Sequence, residues 1–108
     1  MRRRAMLALI LTCAMFMGSR QSSTVVAQQQ APRLIADNRT QYYVDVLVWN
    51  GNGWNFVSRL NPLTWSAFPN AAPNSMWRAV IGQVVRDHRV VYVYDRNYNG
   101  LQDVWWIQ

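Results

Sequence analysis

The 108-residue chain contains no lysine and no glutamate, and its only cysteine is Cys13. These gaps exclude Schiff-base lysines, glutamate acid/base pairs and, after Cys13, thiolate nucleophiles, cysteine-built metal sites and disulfides. His88 is the sole histidine, so the inventory for proton transfer and metal ligation is thin. No stretch after residue 27 keeps a helical period, which argues against amphipathic helices.

The first 27 residues have a character of their own. Met1-Arg2-Arg3-Arg4 is a basic start, residues 5–17 (AMLALILTCAMFM) are an apolar run, and Val25-Val26-Ala27 is a small-residue cleavage pattern. Together they predict an export signal peptide. A spanning helix needs about 20 apolar residues, and here Gly18-Ser19-Arg20 ends the run first. Lipidation at Cys13 is disfavoured because Thr12 replaces the small residue such a site needs and the apolar run before it is too short. The expected destination is secreted or periplasmic, with no membrane span after cleavage.

Removing the signal changes the charge argument. The whole chain carries a formal charge of +6. From Gln28 onward, seven arginines (Arg33, Arg39, Arg59, Arg78, Arg86, Arg89, Arg96) face five aspartates (Asp37, Asp45, Asp87, Asp95, Asp103), leaving +2 spread singly. Nucleic-acid binding needs clustered cations aligned with phosphates, so no nucleic-acid partner is expected. A small exported domain without disulfides requires a dense core. Trp49, Trp54, Trp65, Trp77, Trp105 and Trp106, with Tyr42, Tyr43, Phe56, Phe68, Tyr92, Tyr94 and Tyr98, supply it, because each ring buries about 150–250 Å².

Residues 28–32 (QQQAP) read as a flexible arm, and the domain as residues 33–108. Within it the period is two. Val44, Val46 and Val48 alternate with Tyr43, Asp45, Leu47 and Trp49, and Asn50-Gly51-Asn52-Gly53 then forms a hairpin turn. Residues 54–60 alternate again, with Trp54, Phe56 and Leu60 on one side. Pro62 and Pro69 bracket a short edge strand at 64–68. Residues 76–86 read as one longer strand with a bulge at Gly82, Asp87-His88-Arg89 as a polar turn, and 90–94 with 104–107 as a terminal hairpin. With residues 33–37 this predicts an all-β fold, a single small antiparallel β-sandwich of about seven strands.

Several segments together resemble the von Hippel-Lindau-type β-domain. They are Asn38-Arg39-Thr40, Val46-Leu47-Val48-Trp49-Asn50 with its glycine turn, Leu60-Asn61-Pro62, and Met76-Trp77-Arg78-Ala79-Val80, covering about residues 34–82. The resemblance implies a sandwich scaffold whose relatives bind extended peptides. In the animal family the hydroxyproline pocket includes a histidine two residues before the strand tryptophan, where this chain has Ser75. The family's pocket serine falls near Ala71 and its pocket tyrosine near Val57, and Trp77 is kept. With the polar pocket residues replaced and the ligase-recruiting helical domain not expected, no ubiquitin-ligase role is implied.

The segment Asp95 to Asp103 places Asp95, Asn97, Asn99 and Asp103 at loop positions 1, 3, 5 and 9 with Gly100 at 6, the spacing of a calcium loop. Trp106 stands where a bidentate carboxylate is wanted, and a hairpin turn on Asn99-Gly100 is the plainer reading. No metal or other cofactor is expected. Asp87 could orient His88 to activate Ser58, Ser66 or Ser75, but neighbouring residues point apart and no nucleophile elbow exists. The expected function is therefore a non-enzymatic module binding a protein, peptide or glycan. Contacts would come from Trp49, Trp77, Trp105 or Trp106, with Arg59 and Arg78 at the rim. The alternatives are a carbohydrate-binding module of the cell envelope and, more weakly, a small hydrolase using Asp87 and His88. Asn38-Arg39-Thr40 also matches an N-glycosylation acceptor.

Overall fold

Alternating side chains punctuated by turn residues build strands throughout the described part of this computed structural model, residues 28–108. The expected signal peptide lies outside those residues. The strands are β1 (Gln30–Asn38), β2 (Val44–Trp49), β3 (Trp54–Leu60), β4 (Trp65–Phe68), β5 (Met76–Ile81), β6 (Val84–Arg89), β7 (Val93–Asp95) and β8 (Gly100–Ile107). They form two four-stranded sheets, in the orders β4-β1-β8-β7 and β3-β2-β5-β6. The fold is all-β, as the period-two pattern predicts.

Strand count and pairing differ from expectation in instructive ways. Residues 76–86 are two strands, because Gly82 adopts a positive φ of 61° and turns the chain. Gln83 does not share that conformation, which matches a two-residue turn with glycine first. Asp87-His88-Arg89 is consequently strand, with Trp77 opposite His88 and Arg78 opposite Asp87. The central pair of the first sheet, β1 and β8, is parallel. A parallel neighbour requires a long crossover, and here the whole second sheet serves as that connection. The segment 28–32 enters β1 at Gln30, whose N–H donates to the Asn99 carbonyl at 2.8 Å while the Tyr98 hydroxyl donates to Ala31.

The core lies between the sheets. Leu34 and Ala36 of β1, Trp105 and Ile107 of β8, Val44 and Val46 of β2, and Trp77 and Ala79 of β5 interdigitate with Leu60, Ala71 and Val90. In β3 the register slips: Val46 faces Ser58 but Leu47 faces Phe56, leaving Val57 as an extra residue. This bulge reverses the alternation. Leu60 is buried whereas Phe56 is 63% exposed, so the two do not share a face as the simple alternation predicts.

Asn38, at the end of β1, is the buried polar residue of this core, with no exposed surface. Its Nδ2 donates to the carbonyls of Tyr42 (2.8 Å) and Asn61 (3.0 Å). Its Oδ1 accepts from the Thr40 N–H (2.9 Å) and hydroxyl (2.7 Å). The side chain therefore joins two loops to the strand end, and the glycosylation reading fails in the folded chain because no atom of Asn38 reaches solvent.

Candidate functional site

The two long edges of the sandwich are unlike. Along the β6 side the sheets are tied together. His88 Nε2 lies 2.7 Å from Asp103 Oδ2, and its ring stacks on Trp105 with centroids 5.2 Å apart. Asp103 also accepts the Val91 N–H at 3.0 Å, and Arg86 donates to the carbonyl of Gln108. Along the opposite side, edge strands β3 and β4 diverge over a cavity of about 430 Å³.

This cavity is built by the irregularities of the chain. The β3 bulge aims Val57 into it, and the end of β2 contributes Val48 and Trp49. Phe68 and Pro69 end β4 on its wall, and the loop through Asn70, Ala71 and Ala72 returns to Ser75 and Trp77. The Phe68 and Trp77 rings meet at 5.2 Å, joining the two sheets at the cavity's floor. The loop is held from behind: the Tyr92 hydroxyl donates to the Ala71 carbonyl, the Asn74 N–H to Val90 (2.9 Å), and Arg89 Nη1 to Asn74 (2.8 Å). Burial, with Asp103 nearby, raises the Tyr92 phenol above its ordinary pKa. The Ser75 hydroxyl is spent internally, donating to Ala72 (2.5 Å) and accepting from Trp77 Nε1 (3.0 Å). What faces the opening is thus mainly hydrocarbon and aromatic ring, with shape as the selective feature.

The six residues expected to contact a ligand fall in four places. Trp49 and Trp77 line the cavity. Trp105, 4% exposed, belongs to the core and does not line the cavity. Trp106, its strand neighbour, is 57% exposed on the outer face of the first sheet. Arg59 and Arg78 lie on the outer face of the second sheet. Arg59 pairs with Asp45 (2.8 Å) and Arg78 with Asp87 (2.7 Å), while Arg78 also lies 4.0 Å over the Trp54 ring. Each arginine's hydrogen bonds hold its aspartate below the usual carboxylate pKa.

Sequence reasoning did not single out Val48, Phe68, Pro69, Asn70 or Ala72 as cavity residues. Only the proline ending β4 and the small-residue loop hinted at them, since the Val57 bulge that opens the site carries no composition signal. The calcium-like loop is a turn in its geometry. Asp95 Oδ1 accepts the N–H groups of Asn97 (2.8 Å) and Tyr98 (3.1 Å), Asn99 has a φ of 59°, and Asp103 is engaged with His88. Among the described residues no three His, Cys, Asp or Glu side chains group as metal ligands. Asp87 turns away to Arg78, so it does not orient His88, whose carboxylate partner is Asp103. In comparisons with known proteins, no family model, curated protein or solved structure matches this chain.

Proposed function

We propose that this protein is an exported, non-enzymatic β-sandwich that binds an extended peptide in the cleft between β3 and β4. One observation carries the reading. Val57, Ala71, Ser75 and Trp77, the four positions that the von Hippel-Lindau-type resemblance assigns to a peptide pocket, all line the same cavity. Ala71, Ser75 and Trp77 come from one loop and the strand it leads into, and the bulge brings Val57 to them from another strand. Two edge strands flank the cavity, and among the described residues neither has a strand paired to its outer side, where an added strand could pair. An apolar side chain would fill the cavity while the peptide backbone follows an edge. The absence of a free hydroxyl or imidazole in it favours an unmodified apolar residue over hydroxyproline.

Selection from a displayed library of random linear peptides tests this. The expected result is enrichment of sequences with one large apolar residue, whose synthetic versions shift the backbone amides of Val57, Ala71 and Trp77 and lose binding in Ala71→Arg. Failure to enrich any sequence, or shifts confined to another face, overturns it. A second reading, a carbohydrate-binding module of the cell envelope, is favoured by the exposure of Trp65 and Trp106 on the outer face of the first sheet.

A further inference from the structure

The outer face of the first sheet carries a separate concavity, about 220 Å³, lined by Arg33, Ile35, Asp37, Trp65, Gln102 and Val104. Its construction follows from register. Across β4, β1 and β8, Ala67, Ile35 and Val104 form one row, and Trp65, Asp37 and Trp106 form the next. Strands lie about 4.8 Å apart, so the two tryptophans stand about 10 Å from each other, the reach of two linked pyranose rings. Trp65 is 60% exposed and Trp106 57%, whereas Ile35 in the neighbouring row is 7% exposed. The result is an aliphatic floor, an aromatic wall and a rim of planar polar groups.

Resting on the carbohydrate-binding reading above, we propose that this face binds a neutral oligosaccharide, at a site distinct from the peptide cleft. The chemistry selects the ligand class in three steps. First, β1 and β8 are interior strands of their sheet, so their backbone groups are consumed in the ladders and strand addition over them is excluded. Recognition there rests on side chains alone. Second, the charges on the face are already balanced. Asp37 pairs with Arg39 (3.3 Å), Arg39 also lies 4.8 Å over Trp106, and Arg33, stacked on Tyr98 (3.8 Å), donates to Gln102 (2.7 Å), whose Nε2 donates to Asp95 (3.0 Å), so that two arginines stand against two aspartates. A face with no unbalanced charge suits an uncharged ligand better than a phosphate, a nucleic acid or an anionic membrane. Third, a pyranose has an apolar C–H face and an edge of vicinal hydroxyls. The Trp65 ring and the Ile35–Val104 floor fit the former, and the second carboxylate oxygen of Asp37 with the remaining N–H of the Gln102 amide fit the latter, one accepting and the other donating. These contacts preorganise the rim, because Arg39 holds Asp37 and Arg33 holds Gln102 before any ligand arrives.

The test titrates the purified protein with hexasaccharides of β-1,4-linked glucose, β-1,4-linked N-acetylglucosamine and α-1,4-linked glucose, following tryptophan fluorescence. At least one is expected to bind. Its affinity should fall at least tenfold in Trp65→Ala and in Gln102→Ala, and should stay within twofold in Phe56→Ala, which alters an exposed ring on the second sheet. Circular dichroism of each variant separates lost binding from lost folding. The proposal is overturned if none of the three hexasaccharides binds at millimolar concentration or if binding survives Trp65→Ala. It is equally overturned if sedimentation shows a dimer that Trp65→Ala dissociates, since the face would then belong to a second copy of the chain. None of these outcomes bears on the peptide cleft, which has its own probe.

Discussion

Replacing Asn38 by alanine removes four hydrogen bonds at a position without solvent access. At about 1 kcal/mol net for each bond the simple sum is ~4 kcal/mol. The loss should be smaller, because the two carbonyls keep other partners. Tyr42 O can take the Thr40 hydroxyl proton released from Asn38 (3.2 Å), and Asn61 O keeps the Thr64 hydroxyl (2.7 Å). The Thr40 N–H is the donor left without an acceptor. The expected destabilisation is therefore about 3 kcal/mol, or a fall in Tm of about 12–24 °C for a domain of this size. Urea unfolding followed by tryptophan fluorescence measures it. Asn38→Asp sharpens the test, since it keeps the acceptor but sets a carboxylate against two carbonyl oxygens. It should be less stable than Asn38→Ala at neutral pH and regain stability in acid, where a protonated carboxyl can donate. A loss below about 1 kcal/mol for Asn38→Ala, or an aspartate variant more stable than alanine at neutral pH, would refute the reasoning.

Three further outcomes are expected. A Cβ at Gly100 would lie 2.7 Å from the Gln30 carbonyl oxygen, so Gly100→Ala should displace the start of β1 and lower the urea midpoint, with amide exchange accelerated first at Ala31 and Arg33. Leu63 has a φ of 59° and is 67% exposed, a backbone conformation that costs a branched residue about 1 kcal/mol. Leu63→Asn should therefore raise the urea midpoint, and an unchanged or lower midpoint counts against strain at that turn. The raised Tyr92 pKa gives a sign for alkaline stability. The folded state holds its phenolic proton more tightly than the unfolded chain, so this contribution is complete below the ordinary tyrosine pKa of about 10 and is lost as pH rises through the higher folded value. The urea midpoint of the wild type should fall through that range, and Tyr92→Phe should show less of the fall.

Much of the candidate cleft was indirectly readable. Proline on either side of 65–68 placed that strand at an edge, and the resemblance singled out four positions that the fold brings to one cavity. The floor and the opening were not readable, because Phe68 meets Trp77 only when two sheets stack, and Val57 enters the cleft only through a register slip. Trp105 and Trp106 show the same limit. Alternation requires them to face opposite ways, yet it does not say which way is inward, and the Trp105 side is the one that meets His88.

The all-β class, the Asn50–Gly53 and Asn99 turns and the placement of 65–68 at a sheet edge follow from local chemistry: a period of two, residues that tolerate positive φ, and proline's missing N–H. Each is settled within a few residues of itself. The parallel pairing of β1 with β8, the burial of Asn38, the inward Trp105 and the cleft between β3 and β4 depend on contacts between segments distant in sequence. Tertiary packing decided them, because a strand's two faces are equivalent until another sheet covers one. The tryptophans marked this chain as one with surfaces to use, and only the packed sandwich separated those that hold it together from those turned outward.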